Sequence, residues 1–418
     1  MSFKNLATCT ALFQALAHSA SAAETVRVVP CDQPVKSRKR GLCINKASAD
    51  DFLALAPTVS WYYSWHFADT NNAPAQAGIT FIPMAWGNRP ETVKGLADYL
   101  QTHKPPFVLG INEPNLKGQA FINPETTAQL YQKIKTVADA YRIPTIGPNM
   151  ALGSGGEASI SADDPIEKKK VTYTFMTPFL KAFFHYVGST EVAATSSHTY
   201  GNSGELKWMV EMMHKEFNRP VWVTEFADWH AKNEDAERQY LIESVDFMER
   251  TSYVQGYAWF KERVEGNPKL SLLANESGKL TKLGETYVQM PVHDADLFYR
   301  LPGRLEAERY VAMQGADIAP TTDGEGFLEM RCLDASDWID YNIAVPQAGS
   351  FAFNARFSTV KGGKVEILSK DKVLASVEAG DKGWQSASGT IGLPAGTQII
   401  RVRCTEATRL NWIEFSHR

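Results

Sequence analysis

Cysteine is scarce in this sequence. There are five in 418 residues, with no CxxC pair and no Cys/His cluster at zinc-site spacing, so a zinc ribbon or finger is excluded. A basic stripe is also missing: 43 Lys and Arg stand against 47 Asp and Glu, for a net charge of −4. A nucleic-acid partner, whose phosphates need such a stripe, is not expected. No G-x-S-x-G elbow, P-loop or HExxH appears, which removes the common esterase, nucleotide-hydrolase and zinc-protease signatures. Past the N-terminus no apolar run approaches the about 20 residues of a bilayer span, so no membrane partner is expected. Nor is there a solenoid-type repeat.

The N-terminus has the pattern of a signal peptide. Lys4 precedes the mostly apolar run Leu6 to Ala17, and Ala20-Ser21-Ala22 fits a small-residue cleavage site. Residues 1–23 are expected to be removed and the protein to be secreted or periplasmic. Cys9 would leave with them. Cys31, Cys43, Cys332 and Cys404 remain, an even number that permits disulfides in an exported chain. Closeness in sequence favours Cys31–Cys43, with Cys332–Cys404 left over, although four cysteines allow three pairings.

What is present is alternation. From about residue 40 to 290, short apolar runs of strand length are separated by helical patterns. The runs are Arg40 to Ile44, Ser60 to Tyr63, Thr80 to Met84, Phe107 to Gly110, Pro144 to Ile146, Val192 to Ser197, Val221 to Val223 and Gly256 to Trp259. Helices are expected over Pro90 to His103, Pro124 to Tyr141 and Glu234 to Arg250. Eight such repeats predict an α/β fold, a (β/α)8 TIM-type barrel, in residues 24–290. Residues 291–302 read as a linker. Beyond it, alternating runs such as Trp338 to Ile343 and Phe351 to Phe357, broken by glycine turns, predict an all-β jelly-roll sandwich over 303–418. The polar stretch Gly153 to Lys170 reads as a mobile loop, with Lys168 to Lys170 as solvated surface.

Barrel enzymes place their chemistry at the C-terminal ends of the strands. Asn112-Glu113-Pro114-Asn115 follows the fourth strand and Thr224-Glu225-Phe226 the seventh. Two carboxyls facing each other across a barrel mouth are what glycoside hydrolysis requires: one protonates the leaving oxygen, and the other attacks the anomeric carbon or activates water. The two jobs need different protonation states. Glu113 is assigned as general acid/base and Glu225 as nucleophile. Asn112 is placed to hydrogen-bond the sugar 2-hydroxyl, His198 and Tyr200 to orient Glu225, and Trp259 to floor the central subsite. Trp65, Trp86, Trp229 and Asn45 lie near other strand ends as candidate sugar contacts. Trp61 lies there too, and Trp61, Trp65 and Trp86 each have an equal claim as core packing. Trp208 and Trp222 read as core, Asp228 as a loop support, and Glu262 as a competing rim carboxylate.

These motifs resemble glycoside hydrolase family 128. The resemblance is carried by Lys39-Arg40-Gly41-Leu42, Asn112-Glu113-Pro114-Asn115, Gly147-Pro148-Asn149, His198-Thr199-Tyr200 and Thr224-Glu225-Phe226. It covers roughly residues 38 to 288. It implies a retaining barrel glycosidase, mainly endo-acting on β-1,3-glucan, with Glu113 as acid/base, Glu225 as nucleophile and no catalytic cofactor. Another β-1,4- or β-1,6-linked glycan, or an inactive glycan-binding barrel, is the alternative. The C-terminal part resembles a family 6 carbohydrate-binding module through Leu305 to Glu308, Asp337 to Tyr341, Gly383-Trp384-Gln385 and Leu410 to Ile413. That resemblance implies a structural Ca²⁺ near Glu306, Glu308 and Asn411, and a sugar stacked on Trp384. Cys332 stands where the second aromatic of that sugar site is expected. The whole is read as a monomer whose partner is a β-glucan polysaccharide or oligosaccharide.

Overall fold

The structure, a computed structural model, describes residues 26–71, 77–188, 190–359, 362–380 and 383–418. The signal-peptide assignment and Cys9 lie outside the described residues. Two compact units are present. One is residues 34–292; the other joins the described residues up to Gln33 to His293–Arg418.

The first strand, β1 (Arg27–Pro30), pairs in parallel with Leu297–Arg300. Residues 291–302 are therefore not a free linker, because they carry a strand of the C-terminal unit. That unit's N-terminal edge is supplied by residues assigned from sequence to the barrel domain. Four residues of strand just past a leader carry too little periodicity to reveal a partner 270 positions away.

In residues 34–292 the strands are β2 (Arg40–Cys43), β3 (Trp61–Tyr63), β4 (Thr80–Phe81), β5 (Val108–Leu109), β6 (Thr145–Ala151), β9 (Ala194–Thr199), β10 (Val221–Phe226) and β11 (Val254–Trp259). They form one eight-stranded sheet in the order β4-β3-β2-β11-β10-β9-β6-β5, with every pairing parallel. This is a TIM-like core. Its two end strands share no ladder. A single parallel bridge, Met84 to Leu109, links them. Ala85 N donates to Leu109 O at 2.9 Å, and Leu109 N donates to Pro83 O at 3.0 Å. Pro83 has no N–H to give, so a longer ladder cannot propagate through it.

Helices α1 (Ala49–Leu55), α2 (Pro90–Leu100), α3 (Pro124–Asp139), α4 (Met176–Val187), α5 (Ser203–Phe217), α6 (Glu234–Arg250) and α7 (Lys282–Gln289) lie between and after the strands. Their starts are written locally. Asn123, Asn202 and Asn233 accept the N3 backbone N–H at the heads of α3, α5 and α6, which is the favoured capping geometry. Ser48 and Asp51 form a capping box on α1.

Aromatic side chains fill the centre of the sheet. Trp61, Trp222 and Phe107 meet there with ring centroids 4.4–5.6 Å apart, among Tyr63, Ile82, Leu109 and Ile146. Two glycines make room for the indoles. A Cβ on Gly41 would sit 2.3 Å from Trp61, and one on Gly256 would sit 2.1 Å from Trp222. Close packing leaves no slack for either.

The segment Gly153 to Lys170 is not an irregular loop. It leads into a two-stranded hairpin, β7 (Ile160–Asp164) and β8 (Lys169–Tyr173). Asp164 accepts from Ile166 N and Glu167 N in the turn, and Tyr173 donates to its other oxygen at 2.8 Å. Composition hid this, because the apolar alternation is only two residues long on each strand, Ile160 and Ala162 against Val171 and Tyr173, within a stretch rich in Gly, Ser, Asp and Lys.

The C-terminal unit is all β. One sheet runs in the order β1, Leu297–Arg300, Trp338–Val345, Gly396–Cys404, Gly363–Ser369, Lys372–Ala379. The other runs Asp317–Pro320, Leu328–Cys332, Thr408–His417, Gly349–Thr359, Trp384–Leu393. All four described cysteines are free thiols, which corrects both expected disulfides. Cys43 is in the core of the parallel sheet, with its thiol 3.4 Å from Thr224 O. Cys31 belongs to the other unit and donates to Arg300 O at 3.1 Å. Burial pushes the Cys31 thiol up to about 12. Cys332 lies against Cys404, and the hydrogen bond between their thiols together with burial raises its pKa.

Candidate active site

Glu113 follows β5 and Glu225 lies near the end of β10. Both are buried, at 6% and 4% exposure. Each offers a carboxylate oxygen within 4.8 Å of the other and of a nitrogen of His198. His198 Nδ1 is 2.9 Å from Glu113 Oε1 and 3.5 Å from Glu225 Oε2. Glu113 adopts φ +42°. A non-glycine residue in the left-handed region is strained, and such strain gathers where geometry is functional.

Three donors converge on Glu225. Trp65 Nε1 and Tyr63 OH reach Oε1 at 2.8 and 3.1 Å, and Tyr200 OH donates to Oε2. Donors aimed at a carboxylate stabilise its charged form. Burial first, then the charge on Glu225, raise the pKa of Tyr200 well above the phenol range, so it stays a donor.

His198 is oriented from behind. Asn149 Nδ2 faces Gly110 O and Ile111 O, which turns its Oδ1 toward the Thr224 hydroxyl at 3.1 Å. Thr224 spends its proton there, so it accepts from His198 Nε2–H at 3.0 Å. Nδ1 is left to share a proton with Glu113. Burial pulls the His198 pKa down, but the charge of Glu225 and the hydrogen bond to Glu113 outweigh it and the pKa is raised.

A cleft of about 710 Å³ opens over these groups, and Asn45, Trp65, Trp86, Asn112, His198 and Tyr200 line it. Asn45, Phe260 and Lys261 also border a second hollow of about 770 Å³, which Trp229 lines. Asn45, Trp65 and Trp86 border a third of about 410 Å³. Asn112 is buried, with Nδ2 on Gln119 Oε1 at 3.1 Å and Oδ1 without a protein partner, which leaves an acceptor for a hydroxyl. Asp228 supports the rim as expected: its Oδ1 accepts from His230 N. Glu262 does not compete with the pair. Its Oε1 is engaged by Asn45 N and Lys46 N, and burial raises its pKa.

Trp259 is a correction. It is fully buried, donates Nε1 to Leu270 O at 2.8 Å and packs on Phe226, Tyr240 and Tyr287. The next residue, Phe260, is the one in the cleft. Side chains alternate along a strand, so an error of one residue exchanges the two faces. Sequence reading gave no role to Asn149 and Thr224, which it named only as parts of motifs, none to Tyr63, and it missed the cleft-lining Glu205, Gln119, His230 and Lys261. Trp208 is a second correction, being 50% exposed rather than core.

In the C-terminal unit, Glu308 Oε2 and Asn411 Oδ1 are buried with no partner. Burial and the adjacent Glu306 push Glu308 up to about 8. Glu306 itself meets Arg304 at 3.1 Å. Orphaned hard oxygens fit a Ca²⁺. Trp384 Nε1 donates to Thr322 at 3.1 Å, and the Arg409 guanidinium lies 5.5 Å from the centre of its ring. Cys332 is buried and supplies no second platform.

An eight-stranded parallel sheet with a Glu–His–Glu cluster at its carboxyl ends defines a class, the glycosidases with a TIM-like core. The comparisons agree. Residues 41–287 match the family described as the glycosyl hydrolase catalytic core, and residues 306–417 match the carbohydrate binding module (family 6). A family 128 (subgroup II) endo-β-1,3-glucanase from Sorangium cellulosum is 27% identical, over 61% of this chain and 100% of its own, with a TM-score of 0.54. Another of that subgroup, from Pseudomonas viridiflava, is 30% identical over 62% of this chain and 100% of its own, with a TM-score of 0.52. No curated protein matches. The chain belongs to the glycosyl hydrolase catalytic core family, of the glycoside hydrolase family 128 type.

Proposed function

We propose that this chain is a retaining endo-β-1,3-glucanase, with Glu225 as nucleophile and Glu113 as acid/base. The observation that carries the reading is the separation of at most 4.8 Å between a carboxylate oxygen of each. A retaining pair lies about 5–5.5 Å apart, whereas an inverting pair needs about 6.5–9.5 Å to admit a water. Glu225 attacks the anomeric carbon as Glu113 protonates the departing glycosidic oxygen, and a glycosyl-enzyme ester forms. Glu113, now a carboxylate, deprotonates the water that releases it. Trp65, Tyr63 and Tyr200 donate to Glu225 and fix its position, and His198 Nδ1, 2.9 Å from Glu113 Oε1, holds the acid/base in place through both steps. Asn112 Oδ1 takes the sugar 2-hydroxyl.

The β-1,3-glucan assignment rests on the subgroup II relatives. Endo action is supported by two further hollows that adjoin the cleft at Asn45 and give room for more than one sugar unit. For this activity the parallel sheet is taken as a barrel closed at the Met84–Leu109 seam. Ca²⁺ in the module would be held by Glu306, Glu308 and Asn411 as a structural brace. Export after removal of residues 1–23 belongs to the same reading, and N-terminal sequencing of the secreted protein tests it.

The decisive experiment follows the anomeric product by NMR during hydrolysis of a laminari-oligosaccharide. The β-anomer should appear first, and Glu225→Gln should lose about 10⁴-fold or more in kcat while still binding the oligosaccharide. First appearance of the α-anomer, or a variant of near-normal rate, overturns the assignment.

A further inference from the structure

Helix α5 leaves the catalytic face directly. Gly201 and Glu205 both line the cleft, and α5 begins at Ser203 between them. Its buried stripe is Leu206, Met209, Val210 and Met213. Trp208 is off that stripe and half exposed. It stands three residues beyond Glu205, on the same side of the helix and about 4.5 Å further along its axis. The ring meets Phe175, with centroids 5.9 Å apart and planes inclined by 39°. Phe175 caps α4 and forms an isolated bridge with Gly153, another residue of the cleft wall. Two separate segments thus lead out of the cleft and end on one aromatic pair.

A large exposed indole costs solubility and offsets nothing in the core. A sugar ring supplies what it lacks, because the C–H face of a β-linked glucose lies flat on an aromatic face and leaves its hydroxyls in water. We propose that Trp208, backed by Phe175, is a distal binding site for a β-glucan chain that has passed out of the cleft. This rests on the substrate reading above. The site engages only chains long enough to span the catalytic pair and α5, so it acts on polymer and not on short oligosaccharide.

The test compares full-length wild type with Trp208→Leu and Trp208→Phe on soluble laminarin and on a laminaritriose-sized substrate. The module is present throughout, so its contribution cancels. Leu keeps apolar cover on Phe175 but has no flat face; Phe restores a smaller one. Expected for Trp208→Leu is a KM on laminarin raised about fivefold or more, with kcat, short-substrate kinetics and melting temperature unchanged. Trp208→Phe should recover part of the loss. In the Glu225→Gln background, the Leu variant should also migrate faster than its Trp208 parent through a laminarin-containing native gel. Equal KM values for Leu variant and wild type, or polymer and short substrate shifting together, overturn the distal site. Failure of the wild type to cleave laminarin is a different outcome: it sinks the substrate reading, and this inference with it.

Discussion

Residues 34–292 bury two polar clusters of similar make-up. One surrounds Arg40, on β2. Its guanidinium donates to Tyr257 OH, Glu249 Oε1, Tyr287 O, Met290 O and Pro291 O, all at 2.8–3.0 Å, and Tyr257 donates to Glu249. The other surrounds Glu225, with Glu113, His198, Tyr63, Trp65 and Tyr200. Both combine charge with phenols and are almost fully buried. The Arg40 cluster uses every donor of its fork and lines none of the hollows described above. The catalytic cluster opens onto a cleft, keeps Asn112 Oδ1 without a partner and holds Glu113 at a strained φ. Saturation marks a group that builds the fold; unused hydrogen-bonding capacity marks one that waits for a substrate.

That contrast breaks most sharply at Arg40. Arg40→Met strands Glu249 in the interior and should cost about 3–5 kcal/mol of unfolding free energy, read by urea denaturation. Adding Glu249→Leu should recover much of the loss, since an apolar pair of similar volume removes the uncompensated charge. Activity per folded molecule should stay near wild type in both variants. A large loss of kcat in the folded double variant would mean that the two clusters are not separable.

His198 is the next lever. Its pKa is raised, so the stability it contributes is full below its ordinary value of 6.5 and fades as the pH rises through the folded-state value. His198→Gln should erase that segment of the stability profile. It should also lower kcat about tenfold or more, with little change in KM. A variant that changes KM alone would make His198 a sugar contact rather than a positioning residue for the acid.

Neighbouring residues on one strand give a finer test. Phe260→Ala should raise KM about fivefold by removing a cleft wall. Trp259→Phe should leave KM alone and lower the melting temperature, because it loses the bond to Leu270 O. The reverse pattern would restore the sequence-based assignment of Trp259 to the site.

The limits of the sequence follow from the same physics. That Glu113, Glu225, His198 and Tyr200 meet was legible because short motifs after strands four, six and seven can be placed without knowing which way each side chain faces. Trp259 was misplaced because facing depends on register, and one residue of error inverts it. Tyr63, Thr224 and Asn149 act through partners 26 to 162 residues away, and no local pattern announces such a contact. Trp208 was read as core because a tryptophan on a helix usually is. The strand at Arg27–Pro30 was too short to show that it belongs with Leu297–Arg300. Closeness of Cys31 and Cys43 in sequence gave no guide to space, since the chain places them in separate units.

The smallest effect is expected at Glu237, on α6, which stands between the two kinds of cluster. It is fully buried; Oε1 accepts from Asp228 N at 3.1 Å, beside the rim residue Trp229, and Oε2 has no partner. Burial pushes its carboxyl from 4.5 up to about 8. Between those values the folded protein holds a proton that the unfolded chain has released, so stability falls as the pH rises from about 4.5 to about 8 and levels off above. Glu237→Gln keeps the shape and the acceptor without the charge. At pH 5 it should match wild type closely, because the acid is then protonated in the fold. At pH 9 it should be more stable by about 1–2 kcal/mol, less than the full shift implies because the amide puts two donors where Oε2 has no partner. Differential scanning calorimetry across that range checks it. Parallel melting curves at both pH values would place a compensating positive charge on Oε2 and group Glu237 with the saturated cluster.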